Sequence, residues 1–438
     1  MRDTNRNIKK NVNSRNDSGK ATIFISIILL VLVILGIASY IFTPTFFAAT
    51  YDMSPEEFRE NFMNVTKKAI SSKPEIKHVR TPENVKAIYM TACVAGTTNF
   101  RNELVQLIED TEINSIVIDI KDFSGTISLP SSNPKLIGVN GDGCKAPDMK
   151  EFVAELHEKG IYVIGRVTVF QDPYYTKAHP ELAVKKASDG TVWKDHKGIS
   201  FIEVGAKPYW DYVIELANES YDMGFDEINF DYIRFPSDGN MQDIYYPFSN
   251  EVMVANPEDG KVLALENFFV YLDQKTRQEK YESPNFKHVN SDRMVTSADL
   301  FGMTTTNYDD LNIGQVLEYT LPYFDYVAPM VYPSHYPKTF NGYANPNDYP
   351  YELIYFVMKK GYDRAEYLET STTTPSLVRE KVNPLQLRPW LQDFDYGGDY
   401  DAADVRAQIQ ATYDSGLTSW MLWAPSNRYT RAALHDAQ

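Results

Sequence analysis

Eight short apolar runs recur between residues 85 and 424, and most are separated by stretches with helical periodicity. They are VKAIYMTA (85–92), SIVIDIKD (115–122), IYVIGRVTVF (161–170), DEINFDYIRF (226–235), RMVTSADLFG (293–302), FDYVAPMVY (324–332), LQLRPWLQDF (385–394) and LTSWMLWA (417–424). Eight strand-and-helix units in series predict an α/β domain over 85–438, a parallel sheet closed into a (β/α)8 barrel. An open doubly wound sheet shares the alternation. Its nucleotide signatures are missing, however: neither G-x-G-x-x-G nor G-x-x-x-x-G-K-[ST] occurs.

The spacing also orients the barrel. Several helical stretches end in glycine directly before the next strand, at Gly160, Gly224 and Gly416, where glycine suits the left-handed residue that closes a helix. Segments after the strands are much longer, notably 171–207, 237–261 and 333–349. Short turns at one end and long loops at the other put the functional site at the C-terminal ends of the strands.

Alternate residues of a barrel strand face the lumen. In the fourth run Ile228, Phe230 and Tyr232 are expected to point outward, leaving Asn229 and Asp231 inward. The same alternation turns Asp119, Lys121, Arg166, Thr168, Ser297, Asp299, Arg388 and Gln392 inward. Any one of these could simply satisfy a polar barrel core. As a group they form a mixed-sign ring, and buried ionisable groups are costly unless paired or used.

Two carboxyl groups across a bond, one protonated and one ionised, are what glycoside hydrolysis needs. Asp231 and Asp299 are the leading pair, on consecutive strands ~4.8 Å apart. Asp119, Asp122 and Asp393 are the alternatives to Asp299. The loops after the strands carry Tyr174, Tyr175, Trp193, Trp210, Tyr332, Tyr336 and Trp423, and aromatic faces stack on sugar rings. Trp210 and Trp420 read as core, whereas Tyr332, His335 and Trp423 read as site residues. Neither a G-x-S-x-G elbow nor an H-x-x-x-H pair is present, so no metal and no cofactor are expected.

Ahead of the barrel, Ala21 to Phe42 contains no charged residue and is long enough to cross ~30 Å of hydrocarbon. Arg2, Arg6, Lys9, Lys10, Arg15 and Lys20 precede it against Asp3 and Asp17, which keeps the N-terminus cytoplasmic. The expected order is a basic tail (1–20), a transmembrane anchor in the lipid bilayer (21–42), a juxtamembrane helix and linker (43–84), and an extracytoplasmic barrel. A cleaved signal peptide is the competing reading, but FFAAT (46–50) is a poor cleavage site. The net charge of −16 argues against nucleic acid as a partner. Cys93 and Cys144, the only cysteines, either form one disulfide or remain two buried thiols.

The segments KAIYMTA, IVIDIKD, GRVTVFQDP, GFDEINFDYIRFP, APMVYPSHY and RPWLQDF together resemble a bacterial family of TIM-barrel domains regarded as glycoside hydrolases, distantly similar to α-amylase-like enzymes. The resemblance covers about 85–431. It implies Asp231 as nucleophile or base, Asp299 as acid, and Arg234 as a partner of substrate or carboxylate. The fourth run also resembles the chitinase strand FDGxDxDWEYP, yet Ile233 stands where its catalytic Glu would be and Asn229 replaces its middle Asp. The strand-five acid of α-amylase-like enzymes is usually Glu, where this chain has Asp299. Two functions follow: a glycosidase acting on a polysaccharide or oligosaccharide, and a catalytically silent barrel that binds glycan.

Overall fold

The protein is described by a computed structural model covering residues 78–278, 294–375, 378 and 380–437. The expected anchor, and the expected juxtamembrane segment up to residue 77, lie outside the described residues. Among the described residues no helix is long and apolar enough to cross a membrane.

Eight parallel strands close into a barrel in sequence order: β1 Lys86–Met90, β2 Ser115–Lys121, β3 Tyr162–Thr168, β4 Glu227–Asp231, β5 Val295–Phe301, β6 Tyr326–Met330, β7 Trp390–Gln392 and β8 Trp420–Trp423. Each lies inside one of the eight sequence runs. The longer outer helices are α1 Thr98–Glu109, α2 Met149–Glu158, α3 Lys207–Met223, α4 Gly260–Asp273, α5 Pro350–Thr370 and α6 Ala402–Asp414. Between β5 and β6 the wall is made only of short 3-10 turns, at Gly302–Thr305, Leu317–Tyr319 and Leu321–Tyr323. Gly160, Gly224 and Gly416 all have positive φ (73°, 100° for Gly416 and 120° for Gly224), which a side chain would oppose.

Two apolar layers follow from strand alternation. Ile118, Val163, Ile228, Phe230, Val327 and Leu391 face outward into the shell packed under the helices, where Trp420 and Trp210 also lie. Ala87, Tyr89, Val117, Ile164, Ala328, Trp390 and Met421 fill the lumen. Below them Glu227 and Arg388 make a fully buried ion pair at 3.0 Å. The guanidinium of Arg388 also lies 3.9 Å from the centre of the Tyr326 ring.

The end of the expected linker belongs to the barrel floor. The backbone N–H of Val79 donates to Asp226 (2.7 Å) and the Thr81 hydroxyl donates to Tyr162 (3.1 Å). Asp226 also accepts from the Val163 N–H (2.8 Å) and lies 2.9 Å from His157 Nε2. One carboxylate therefore fastens residues 78–84 beneath the sheet.

The two loops that follow β1 and β2 are joined by a Cys93–Cys144 disulfide with Cα atoms 4.8 Å apart. The open question about the two cysteines is thereby answered as a bond. It closes a loop with a sequence separation of 51, so Cys93→Ser with Cys144→Ser should lower stability by about 2–4 kcal/mol in urea unfolding.

Candidate active site

A cavity of about 880 Å³ opens at the C-terminal ends of the strands, the end that the long loops indicate. Of the residues expected in the site, Asp231, Asp299, Arg166, Arg234, Tyr332, His335 and Trp423 line it. So do Tyr336 and Asp393.

Arg166, inward on β3, organises the floor. Its Nη1 donates to Asp119 on β2 (2.7 Å), and its Nε (3.1 Å) and Nη2 both donate to Oδ2 of Asp231 on β4. The same Nε lies 3.8 Å from Oδ2 of Asp299 on β5. Tyr89 adds a 2.5 Å hydrogen bond to Asp119 from β1. Both catalytic candidates thus approach one nitrogen, which puts their Oδ2 atoms at most about 7 Å apart, an upper limit that admits a two-carboxyl glycosidase pair. The β4–β5 register, Asn229 beside Ser297 and Phe230 beside Ala298, sets their equal height.

One guanidinium cannot neutralise three carboxylates, so burial decides where a proton stays. Asp299 is fully enclosed, and desolvation, followed by repulsion from Asp231, raises its pKa to about 8. Burial also raises Asp119, against the opposing pull of Arg166. Asp299 Oδ1 accepts from both Asn229 Nδ2 (2.9 Å) and Trp390 Nε1 (2.8 Å). With Oδ1 occupied by two donors, the acidic proton resides on Oδ2, the oxygen nearer Arg166.

Aromatic rings complete the walls. Trp423 stacks on Tyr89 at 3.9 Å and meets Trp390 edge-on at 5.4 Å. Arg166 lies 5.2 Å from the centre of the Trp423 ring. Tyr332 packs edge-on against His335 and Phe394. Burial lowers the pKa of His335, which favours the neutral imidazole at pH 7.

Strand alternation fails at two places. Tyr232, expected outward, takes φ of 53° and lines the cavity. Its N–H donates to Oδ1 of Asp231 at 2.5 Å. Such a left-handed non-glycine residue costs on the order of 1 kcal/mol and recurs at functional sites. On β2 the register with β3 shifts between Asp119 and Lys121, so Asp119 pairs with inward Arg166 but Lys121 pairs with outward Val167. The bulge turns Lys121 away from the cavity, into a buried pocket with Asp172 (2.9 Å), Tyr209 (3.2 Å) and the Thr168 carbonyl (2.5 Å).

Strand alternation also directs Arg388 and Gln392 to the site. Arg388 does face inward, but two positions below Trp390, at the level of Glu227. Gln392 is buried among loops, accepting from the Ser334 N–H (3.1 Å) and donating to the Phe394 carbonyl (3.0 Å). Asp122 closes a turn on Ser124, and Asp393 is held through both oxygens by Thr430. Trp193 and Tyr175 are core residues. Tyr89 and Trp390 went unrecognised in the sequence, although the period of two that selects Arg388 and Gln392 also turns Trp390 inward.

A closed barrel with a carboxyl pair at the foot of an aromatic cavity has the parts that glycoside hydrolysis requires. Residues 87–429 match the family described as "Putative glycosyl hydrolase domain", and the chain belongs to that family, an O-glycoside hydrolase by class. Among solved structures it is similar to a hypothetical protein of Ruminiclostridium thermocellum ATCC 27405, at 30% identity over 48% of this chain and 96% of that one, with a TM-score of 0.39. The glycoside hydrolase domain of PgaB (BpsB) from Bordetella bronchiseptica shares the fold, at 14% identity and a TM-score of 0.54 over 81% of this chain and 99% of that one. No curated protein sequence matches the chain.

Two measurements check this geometry. Lys121→Met, which leaves Asp172 buried without its cation, should cost about 3 kcal/mol in urea unfolding. For Asp299 the folded pKa exceeds the unfolded value, so the folded state holds the extra proton and stability falls as pH rises from ~4 to about 8. Asp299→Asn should therefore lose several degrees less melting temperature between pH 5 and pH 9 than the wild type.

Proposed function

We propose that the protein is a membrane-tethered, extracytoplasmic glycoside hydrolase in which Asp299 is the general acid and Asp231 the nucleophile or base. The observation that carries the reading is the division of labour around Arg166. Asp231 accepts two N–H groups of the guanidinium on one oxygen, whereas burial raises the pKa of Asp299 to about 8. Two carboxyl groups whose surroundings push their protonation apart are what acid and base assignments rest on.

A sugar ring seated against Trp423 and Tyr332 would present its glycosidic oxygen to Asp299 Oδ2. Proton transfer from Oδ2 lets the C–O bond break with its electron pair on the departing oxygen. Asp231 then either bonds to the anomeric carbon, giving a glycosyl ester that water cleaves while Asp299 takes the water's proton, or itself takes the proton of a water that attacks that carbon. As that positive charge develops at the sugar, Asp231 stabilises it, and Arg166 fixes the carboxylate in place. Tether and export are supported by the uncharged run 21–42 after a basic tail and by the Cys93–Cys144 bond, which suits an oxidising compartment.

Asp231→Asn and Asp299→Asn should each lower kcat by about 10²–10⁴-fold on the susceptible polysaccharide. Wild-type kcat/KM should fall above about pH 8 as Asp299 ionises. Trp390→Phe removes a donor that lowers the Asp299 pKa, so its alkaline limb should move upward. Wild-type turnover persisting in Asp231→Asn would refute the assignment. Glycan binding without turnover on any wall polysaccharide or aryl glycoside would replace the enzyme with a binding barrel.

A further inference from the structure

We infer that Arg234 forms an oxyanion subsite, binding a carboxylate or phosphate group carried by the glycan in the cavity. The inference rests on the hydrolase reading only for the cavity being where glycan binds.

Arg234 is anchored along one edge and free along the other. Its Nη1 donates to the Phe235 carbonyl and to the Ser237 hydroxyl, both at 3.1 Å. The guanidinium lies 5.1 Å from the centre of the Tyr232 ring and 5.6 Å from that of Phe301, and all three side chains line the cavity. Among the described residues, Nε and Nη2 donate to no protein group, and no carboxylate comes within ion-pair distance. Asp231, Asp238 and Asp195 act on it only at longer range.

Of the acidic residues elsewhere in the cavity wall, Asp393 is engaged through both oxygens, by Thr430, and Asp395 through one, which accepts from the Tyr400 N–H at 2.8 Å.

The segment bearing Arg234 is also held in place. Tyr232 is left-handed, the Ile233 carbonyl accepts from Gln315 (3.2 Å), and the Phe235 N–H donates to the Ile313 carbonyl (2.9 Å). Gln315 in turn accepts from the Phe301 N–H (2.9 Å), tying both rings' elements together. A half-buried guanidinium without a counter-ion is costly, and burial lowers its pKa. Its open edge is a planar fork that matches carboxylate and phosphate oxygens in two parallel hydrogen bonds. At the rim Arg428, which lies 5.1 Å from the centre of the Phe100 ring, likewise has no carboxylate partner among the described residues.

The test is binding, which does not require turnover. Glucose, galactose and mannose, their uronates and their 6-phosphates are titrated by calorimetry into the wild type, Arg234→Gln and Arg234→Lys, with folding of each variant checked by thermal melting. At least one uronate or 6-phosphate should bind the wild type about 10-fold or more tightly than its neutral parent. Arg234→Gln should abolish that preference and Arg234→Lys should retain only part of it. A uronate preference identifies a carboxylate ligand, and a preference confined to the 6-phosphates identifies a phosphate. The inference is overturned if no anionic sugar is preferred, or if the preference survives in folded Arg234→Gln. Turnover by the wild type with no anionic preference would leave the hydrolase standing without this subsite. A preference dependent on Arg234 without turnover would leave the subsite standing without the hydrolase.

Discussion

The guanidinium of Arg166 sits where three strands deliver a carboxyl group each: Asp119 from β2, Asp231 from β4 and Asp299 from β5. Its single positive charge makes the cluster affordable, yet leaves more negative charge than it can balance. Burial settles the difference by keeping Asp299 protonated. Trp423, Tyr89 and Trp390 surround this centre and limit its access to water, which strengthens every charge interaction within it. Removing the cation would leave the carboxyl groups of three strands in mutual repulsion, so their arrangement and the aromatic wall around it depend on Arg166.

The lumen separates structural from functional charge by height. At the floor Arg388 pairs with Glu227 through Nη1 and Asp226 fastens residues 78–84, all of it sealed beneath the apolar lumen layer. Near the mouth Arg166 is shared among three acids, and Arg234 keeps an open edge. The polar floor beneath the apolar lumen layer fixes the strands against sliding, because slipping one residue would strand a buried charge.

Two departures from regular strand geometry shape the site. Without the β2 bulge, Lys121 would compete with Arg166 for the same carboxylates; with it, Lys121 is removed to Asp172 and Tyr209. The left-handed Tyr232 ends β4 just after Asp231 and turns both its own ring and the Arg234 chain segment toward the cavity. Strain of this kind persists only where surrounding contacts hold it, here Gln315 and the Ile313 carbonyl.

What the sequence by itself determined was the barrel, its functional end and the inward order of β4 and β5. A period of two and glycine-closed helices are local properties, legible in Asn229, Asp231, Asp299 and Gly224 without any partner. Height along the lumen, the bulge and the left-handed turn were decided by tertiary structure. Arg388 and Arg166 look alike in alternation, but only packing puts one against Glu227 and the other among three acids. Lys121 obeys the pattern in sequence and escapes it because strand register belongs to two chains of residues at once. The protonation of Asp299 likewise arises from burial and from Asp231, neither of which exists until the strands are assembled.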